Sequence, residues 1–377
     1  MAKNILIVAH KFLTQPDDDL VIYLNREKFD NVMHIIHDFS DAPTRTSSCR
    51  WYKLGVLYQE YSSRDYSKFP EFFLYVKEFI FTAYWVIKSK TSWTVSISMD
   101  GLCNIFCLFF RLLHKVDRTV YWAVDFVPKS RFKSIFKNYF YHFVNKIGYK
   151  NADEMWDLSP RMAQAREAYL GIHESEYKSH KVVPYGVWAE RITRFNYGDC
   201  EKYTLVFMGH LLEKQGVQYV ISMISKLRNA IPNFNFKIIG DGSYKQELVN
   251  LAKKLNVFEY CTFTGKIEND VDLENEIAKS CVAIAPYIRE LDTWTYYADP
   301  GKLKKYIACG VPVLVTDVPW NAQIISERRC GVIINYKDFV KELLFLMSAA
   351  INSDYRNNCV EFSKSFDYNT IFAELNL

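Results

Sequence analysis

Glycine is scarce in this chain, 14 in 377 residues, and no segment repeats at a fixed period. Collagen-like, low-complexity and solenoid architectures are excluded on that ground. The nine cysteines include no Cys-x-x-Cys pair. Cys103 and Cys107 stand four apart with no second pair to answer them. The thiols therefore read as free, mostly buried side chains in a reducing compartment. Long apolar runs are missing as well. The longest without charge lie near Phe79–Ile87 and Leu102–Phe110, about half of the ~20 residues that cross a bilayer. The opening MAKNILIVAH has no long apolar core followed by a cleavage site, so no signal peptide is expected. Neither sign of charge dominates: 47 basic residues against 43 acidic give +4. That balance excludes a dedicated nucleic-acid binder. The expectation is a cytoplasmic protein, at most peripheral on the inner face of a membrane.

What the chain does have is length for two domains and apolar residues (49%) for a core in each. Short β-rich runs alternate with longer helical patterns. In the first half the expected strands are Asn4–Ala9, Val32–Ile36, Thr94–Ser98, Thr119–Asp125, Glu154–Leu158 and Val182–Pro184, with helices over 70–88 and 129–148. In the second half they are Thr204–Met208, Phe236–Ile239, Thr262–Thr264, Val282–Pro286, Val311–Val315 and Val332–Ile334, with helices over 216–229 and 243–255. This alternation predicts an α/β protein of two Rossmann-like, doubly wound domains, whose ligands bind at the carboxyl ends of the strands. The expected limits are 1–188 and 200–352, joined by a polar linker near 188–202. Helices over 353–377 are expected to cross back to the first domain.

Three loops of the second half carry chemistry. In MGHLLEKQG, Met208 to Gly216, Lys214 can meet a diphosphate as a point charge, with His210 beside it and a helix N-terminus behind. A solvated surface lysine is the plain alternative. In IIGDGSYKQEL, Gly240-Asp241-Gly242 makes a tight turn and Asp241 is placed to cap the next helix. In YYADPGKLKKYIACGVPVLV, Asp299-Pro300 opens a helix that Gly310 stops, and Lys302 sits in its first turn.

Together these segments resemble the C-terminal half of retaining glycosyltransferases of the GT-B fold, in particular glycosyltransferase family four, of the bacterial type that builds surface polysaccharides. The family's Gly-Arg-Leu…Lys-Gly diphosphate loop reads Gly209-His210-Leu211…Lys214-Gln215-Gly216 here. Its Gly-Asp-Gly turn is Gly240-Asp241-Gly242, and its Phe-x-Gly strand end is Phe263-Thr264-Gly265. Its Glu-Ala-x-Ala-x-Gly-x-Pro-Val unit reads Lys305-Tyr306-Ile307-Ala308-Cys309-Gly310-Val311-Pro312-Val313. Before the linker, Val182 to Val187 is similar to the family's Val-x-Pro-x-Gly-Val. The family's glutamate pair is not kept in register: Lys305 holds the second position, which usually binds the donor ribose, and Tyr297 stands eight residues before it. Glu290, Asp292 and Asp299 are the neighbouring carboxylates.

The resemblance implies two domains facing across a cleft and a sugar moved from a nucleotide-sugar donor, with retention, to a glycan or lipid-linked acceptor. The donor set is Gly209, His210, Lys214, Gly240, Asp299, Lys302 and Tyr306. Asp125, which ends VYWAVD, and Glu290 are the expected catalytic carboxylates. His10, Asp17 and Asp18 form the expected acceptor set, with a helix cap as the alternative role for the aspartates near Leu20. No cofactor and no protein-bound metal are expected.

Residues 129–150 hold Lys129, Arg131, Lys133, Lys137, Lys146 and Lys150 and no Asp or Glu. Phe132, Phe136, Phe140 and Phe143 recur at helical spacing and read as core, with the lysines solvated. An anionic membrane surface is the further partner this pattern fits, and no nucleic acid is expected. Two other functions share the sequence features: a GT-B-type nucleotide-sugar epimerase, and an inactive transferase-like partner subunit.

Overall fold

The computed structural model describes residues 3–11, 15–39, 42–124, 126–127, 130–291 and 295–377. It divides into two compact units. The first comprises Met1–Pro184 with Phe372–Leu377, and the second Tyr185–Ile371. The division thus falls at Pro184/Tyr185, ahead of the polar 188–202 stretch. Of the C-terminal segment only the last six residues join the first unit, where the Phe372 ring lies 5.5 Å from Tyr23 and 6.3 Å from Trp122.

In the first unit the chain runs β1 (Asn4–Lys11), α1 (Pro16–Arg26), β2 (Asn31–Asp38), β3 (Ser47–Lys53), β4 (Val56–Ser62), α2 (Glu71–Lys88) and β5 (Trp93–Ser98). It continues through α3 (Gly101–Leu112), β6 (Val116–Ala123), α4 (Ile135–Asn151), β7 (Glu154–Asp157), α5 (Pro160–Leu170) and β8 (His180–Val182). The sheet order is β4-β3-β2-β1-β5-β6-β7-β8. β1 pairs in parallel with both β2 and β5, and seven of its eight residues are buried. An unbroken apolar run suits that position, because helices cover both faces of a parallel sheet. β3 and β4 add an antiparallel hairpin at one edge, turned by Leu54 and Gly55 with positive φ at both.

α4 departs from the sequence expectation in two ways. It begins at Ile135 rather than 129, because the Ser134 hydroxyl accepts from the Lys137 N–H and caps it. Its phenylalanine stripe is not core. Phe136 is 87% exposed, and Phe140 and Phe143 about half exposed, while Val144, Asn145, Gly148 and Tyr149 turn inward. The apolar face that predicts burial in a soluble helix is here split between two sides.

The second unit runs β9 (Glu201–Met208), α6 (Val217–Ala230), β10 (Asn235–Ile239), α7 (Lys245–Lys254), β11 (Cys261–Gly265), α8 (Asp270–Ala278) and β12 (Ser280–Ala285). Then come α9 (Gly301–Ala308), β13 (Val313–Val315), α10 (Ala322–Glu327), β14 (Gly331–Ile333), α11 (Phe339–Met347), α12 (Ala349–Ser363) and α13 (Tyr368–Ala373), whose last two residues belong to the first unit. Its sheet, β11-β10-β9-β12-β13-β14, is wholly parallel. Leu205, Phe207, Phe236, Ile238, Val282 and Ile284 form its buried layer with the inner faces of α6 and α11. All nine cysteines of the chain are buried and free.

Candidate functional site

The carboxyl ends of β9, β10 and β11 interlock. The Gly209 N–H donates to the Ile239 carbonyl at 2.9 Å, and the Gly240 N–H donates to Gly265 at 2.9 Å. The Leu211 N–H donates to the Asp241 carbonyl, also at 2.9 Å. At Gly240 a Cβ would stand 1.9 Å from the Gly209 carbonyl oxygen, so the two turns approach only because residue 240 carries no side chain. Asp241 does not cap α7, which starts later, at Lys245. Its carboxylate instead accepts from its neighbour Gly242 N–H at 2.8 Å and from Lys245 Nζ at 2.9 Å.

Lys302, in the first turn of α9, reaches this strand end. A Cβ at Gly209 would lie 2.8 Å from the Lys302 ammonium. The ammonium donates to Gln215 Oε1 at 2.6 Å and stands over the Phe207 ring at 4.2 Å. Gln215 belongs to the same short 3-10 turn as Lys214, whose carbonyl accepts from Ile288 N–H at 3.1 Å. The turn after β12 that carries Glu290 is thereby tied to the Lys214 loop. Glu290 itself is exposed, as is His210. Gly209, His210, Lys214, Gly240, Glu290 and Lys302 therefore gather at one end of the second sheet. Cations there, beside open backbone turns, suit a diphosphate.

Two residues of the expected donor set do not face that end. Tyr306 is fully buried, and its hydroxyl accepts from Met208 N–H at 2.7 Å. It is a tie between α9 and β9. Asp299 is 2% exposed; it accepts from Tyr185 N–H at 2.9 Å and Trp320 Nε1 at 3.0 Å, and pairs with Lys304 at 3.4 Å. Burial pushes its carboxyl above the usual range against the pull of Lys304. Nor does Asp299 cap α9, whose first flanking residue is Pro300. Lys305, in the position where the resemblance has a ribose-binding glutamate, points to α8 and pairs with Asp270 at 2.5 Å and Glu274 at 3.5 Å. Asp125 and Asp292 lie outside the described residues.

In the first unit His10 is the last residue but one of β1 and is buried. Its ring nitrogens lie 2.9 Å from Asp100 and 3.1 Å from Glu78, and Cys103 Sγ is 3.3 Å away. Burial opposes a charge on the imidazole, but Asp100, Cys103 and Glu78 outweigh it and hold the pKa well above the ordinary value. The Asp100 carboxyl is correspondingly held far below its own. Asp100 also caps α3, accepting from Leu102 and Cys103 N–H groups at 3.0 Å. None of these three partners stands out in the sequence; only the cap position of Asp100 before an apolar helix is a signal.

Asp17 and Asp18 sit in the first turn of α1, which starts at Pro16, and neither caps it. Asp17 is wholly buried against His34 Nε2 at 2.7 Å, and Asp18 pairs with Lys11. Burial raises the Asp17 carboxyl, but the His34 bond and Lys11 bring it below the usual range. Among the described residues, metal-ligand atoms converge in two groups: His10, Asp100 and Cys103, and Asp17, Asp18 and His34. In the first group His10 already bonds both Asp100 and Cys103; in the second Asp17 bonds His34, and Asp18 is taken up by Lys11.

Two parallel-sheet Rossmann-like units, with polar loops at the strand ends, are the parts of the GT-B architecture. Comparison with solved structures gives that fold. The chain matches HepE of Anabaena in complex with UDP at a TM-score of 0.69 and 12% identity, covering 98% of each chain. It matches WaaG, a glycosyltransferase involved in lipopolysaccharide biosynthesis, at 0.65 and 13%, covering 99% of this chain and 100% of the other. By sequence, residues 202–351, within the second unit, match the family of glycosyl transferases group 1. An uncharacterized glycosyltransferase of Haemophilus influenzae is 23% identical over 186 residues, 48% of this chain and 50% of that protein. The chain spans about half the length, or less, of the curated relatives it matches.

Proposed function

We propose that the protein transfers a sugar, with retention, from a nucleotide-sugar donor to a glycan or lipid-linked acceptor in bacterial surface polysaccharide synthesis. The observation that carries this reading is the Lys302 ammonium beside Gly209 at the carboxyl end of β9. There it joins the Lys214 turn and the glycine loops of the segment that matches glycosyl transferases group 1. Lys302 and Lys214, with His210, neutralise the diphosphate as it leaves, a charge-stabilising role that these side chains fill without a metal. The acceptor hydroxyl then attacks on the face the diphosphate vacates. Asp125 and Glu290 are the carboxylates proposed to act on the reacting sugar, with the acceptor held on the His10 side of the first unit. The enzyme works at the cytoplasmic face of the membrane in this account.

UDP is the first nucleotide to try, since HepE is crystallised with it. The test is product formation from UDP-, GDP-, ADP- and CMP-activated sugars with lipid and glycan acceptors, the anomeric configuration read by NMR. A glycan product that keeps the donor configuration supports the reading. Interconversion of the nucleotide sugar without acceptor identifies an epimerase. Glycan synthesis in cells unchanged by Lys302→Met and Asp125→Ala identifies a partner subunit.

A further inference from the structure

β1, β5 and the start of α3 bring three ligand chemistries to one point. β1 and β5 pair in parallel with Val8 beside Ser98, which sets His10 against the turn that opens α3. The His10 N–H donates to Asp100 Oδ2 at 3.1 Å. Asp100 caps α3, and Cys103 lies three residues on, on the same face. An imidazole, a carboxylate and a thiol therefore meet, their ligand atoms all within 4.8 Å of one another. Sequence alone predicts no metal here, because His10 lies 90 residues from Asp100.

The meeting leaves one bond too few. His10 Nδ1 faces both Asp100 Oδ2, at 2.9 Å, and Cys103 Sγ, at 3.3 Å. A ring nitrogen carries one proton or one lone pair, so it serves one of those partners at a time. A single cation between the three atoms serves all of them. Tetrahedral zinc holds nitrogen and oxygen ligands about 3.3 Å apart, and nitrogen and sulfur about 3.6 Å apart. Both pairs need to open by only a few tenths of an ångström.

The surroundings fit the same reading. Glu78 Oε2 lies 3.1 Å from His10 Nε2, and both side chains are buried. That carboxylate takes the Nε2 proton and leaves Nδ1 to ligate, the usual support of a metal-bound histidine. The other Asp100 oxygen accepts from the Leu102 and Cys103 N–H groups at 3.0 Å, which fixes the carboxylate. His10 and Asp100 line a cavity of about 550 Å³ in the first unit, which gives an entry path and room for a fourth ligand. The neighbouring imidazole of His37 is occupied by Ser47 Oγ at 2.7 Å and Thr82 Oγ1 at 3.0 Å. The second converging group, Asp17, Asp18 and His34, differs. Lys11 contacts Asp18 there and its ammonium stands 3.9 Å from Asp17, so a cation is already in place.

We propose that His10 Nδ1, Asp100 Oδ2 and Cys103 Sγ bind one zinc ion, with the fourth position open to the cavity. Nitrogen, oxygen and thiolate sulfur together suit zinc, whereas magnesium and calcium favour oxygen. Three protein ligands and one open position make a site that takes a further molecule, unlike a closed structural site. Ligation releases the protons of Nδ1 and the thiol to solvent. The metal-free protein keeps the bonds described above, and the ion replaces the two that meet on Nδ1. Binding requires neither donor nor transfer, so it is separable from the proposed activity.

The experiment uses the full chain, stripped with a chelator, and two probes. Cobalt(II) reports its ligands by absorption, and zinc is titrated against a chromophoric chelator. The wild type should take up one cobalt ion per chain and show the near-ultraviolet thiolate-to-cobalt band. Cys103→Ser, close in size to the native residue, should lose that band and weaken zinc by more than about 100-fold, beyond the effect of a supporting group. Glu78→Gln should keep the band and weaken zinc about 10- to 100-fold. A wild type that binds neither ion, or binds cobalt without the thiolate band, overturns the proposal. So does a Cys103→Ser variant that keeps the band, which places the ion at another thiol. Unchanged zinc affinity in Glu78→Gln overturns the supporting role of Glu78. The wild-type spectrum needs no variant, so a substitution that fails to fold leaves the test standing.

Discussion

The Lys302 ammonium occupies the space that a side chain at residue 209 would need: a Cβ there would stand 2.8 Å from Nζ. Gly209 also has φ of +142°, a region that L side chains rarely adopt. Gly209→Ala should therefore push the ammonium off the strand end. Donor kcat/KM should fall about tenfold, equivalent to ~1.4 kcal/mol of lost transition-state stabilisation, with kcat lowered as well as KM raised. Steady-state kinetics across donor concentration check this.

Asp299 is expected to matter for stability and not for donor binding. Its carboxylate bonds Tyr185 N–H and Trp320 Nε1 and pairs with Lys304, all in the interior of the second unit. Asp299→Ala should cost about 1.5–3 kcal/mol or more, the range for hydrogen bonds to charged groups. Nucleotide affinity of the folded variant should stay within about twofold of wild type. Denaturant unfolding and nucleotide titration of the same sample separate the two effects.

His10 and Asp100 give the first unit opposite pH dependences. The folded pKa of His10 is raised above 6.5, so its contribution is complete below that pH and is lost as pH rises through the folded value. The folded pKa of Asp100 is lowered below 3.8, so its contribution is present above that pH and is lost on acidification. Wild-type stability should fall as pH is raised above neutrality, and His10→Gln should flatten that slope. Tryptophan fluorescence in urea is the measurement, since Trp51, Trp85, Trp93, Trp122 and Trp156 all lie in the first unit.

A buried ion pair pins the other side of the first sheet. Arg166 and Asp157 are both fully buried and in contact, with the Arg166 Nε–H donating to Tyr177 Oη at 2.8 Å and His180 Nε2 2.9 Å from Asp157. Arg166→Met alone leaves a buried carboxylate and should cost about 3–5 kcal/mol. Adding Asp157→Leu should recover much of that loss. Urea unfolding of the single and double variants checks it.

The strand–helix alternation of the second unit was legible because each buried strand is a short apolar run closed by a polar turn. β9, β10 and β12 fall within a few residues of their expected limits. The β3–β4 hairpin was not legible. Its turn is Leu54-Gly55, without the Asn-Gly or Asp-Gly pair that signals such a turn, and β4 is mostly exposed. At the candidate site the glycines and Lys302 could be read from spacing. The fates of the charged side chains could not: Asp299, Asp17 and Lys305 are taken up by Tyr185, His34 and Asp270, which lie 114, 17 and 35 residues away in the chain. The phenylalanines of α4 misled for a related reason. Helical spacing shows which residues share a face, and only the packing shows whether that face is covered.

The central claim is that the strand ends of the second unit receive a nucleoside diphosphate on Lys302. The most direct measurement is calorimetric titration of wild type and Lys302→Met with UDP, GDP and ADP, and with CMP as the monophosphate control. The account predicts that one of the diphosphates binds the wild type selectively and that the substitution weakens it about 10- to 150-fold, the loss of one charged hydrogen bond. Absence of binding by all three diphosphates, or equal binding by the variant, would contradict it.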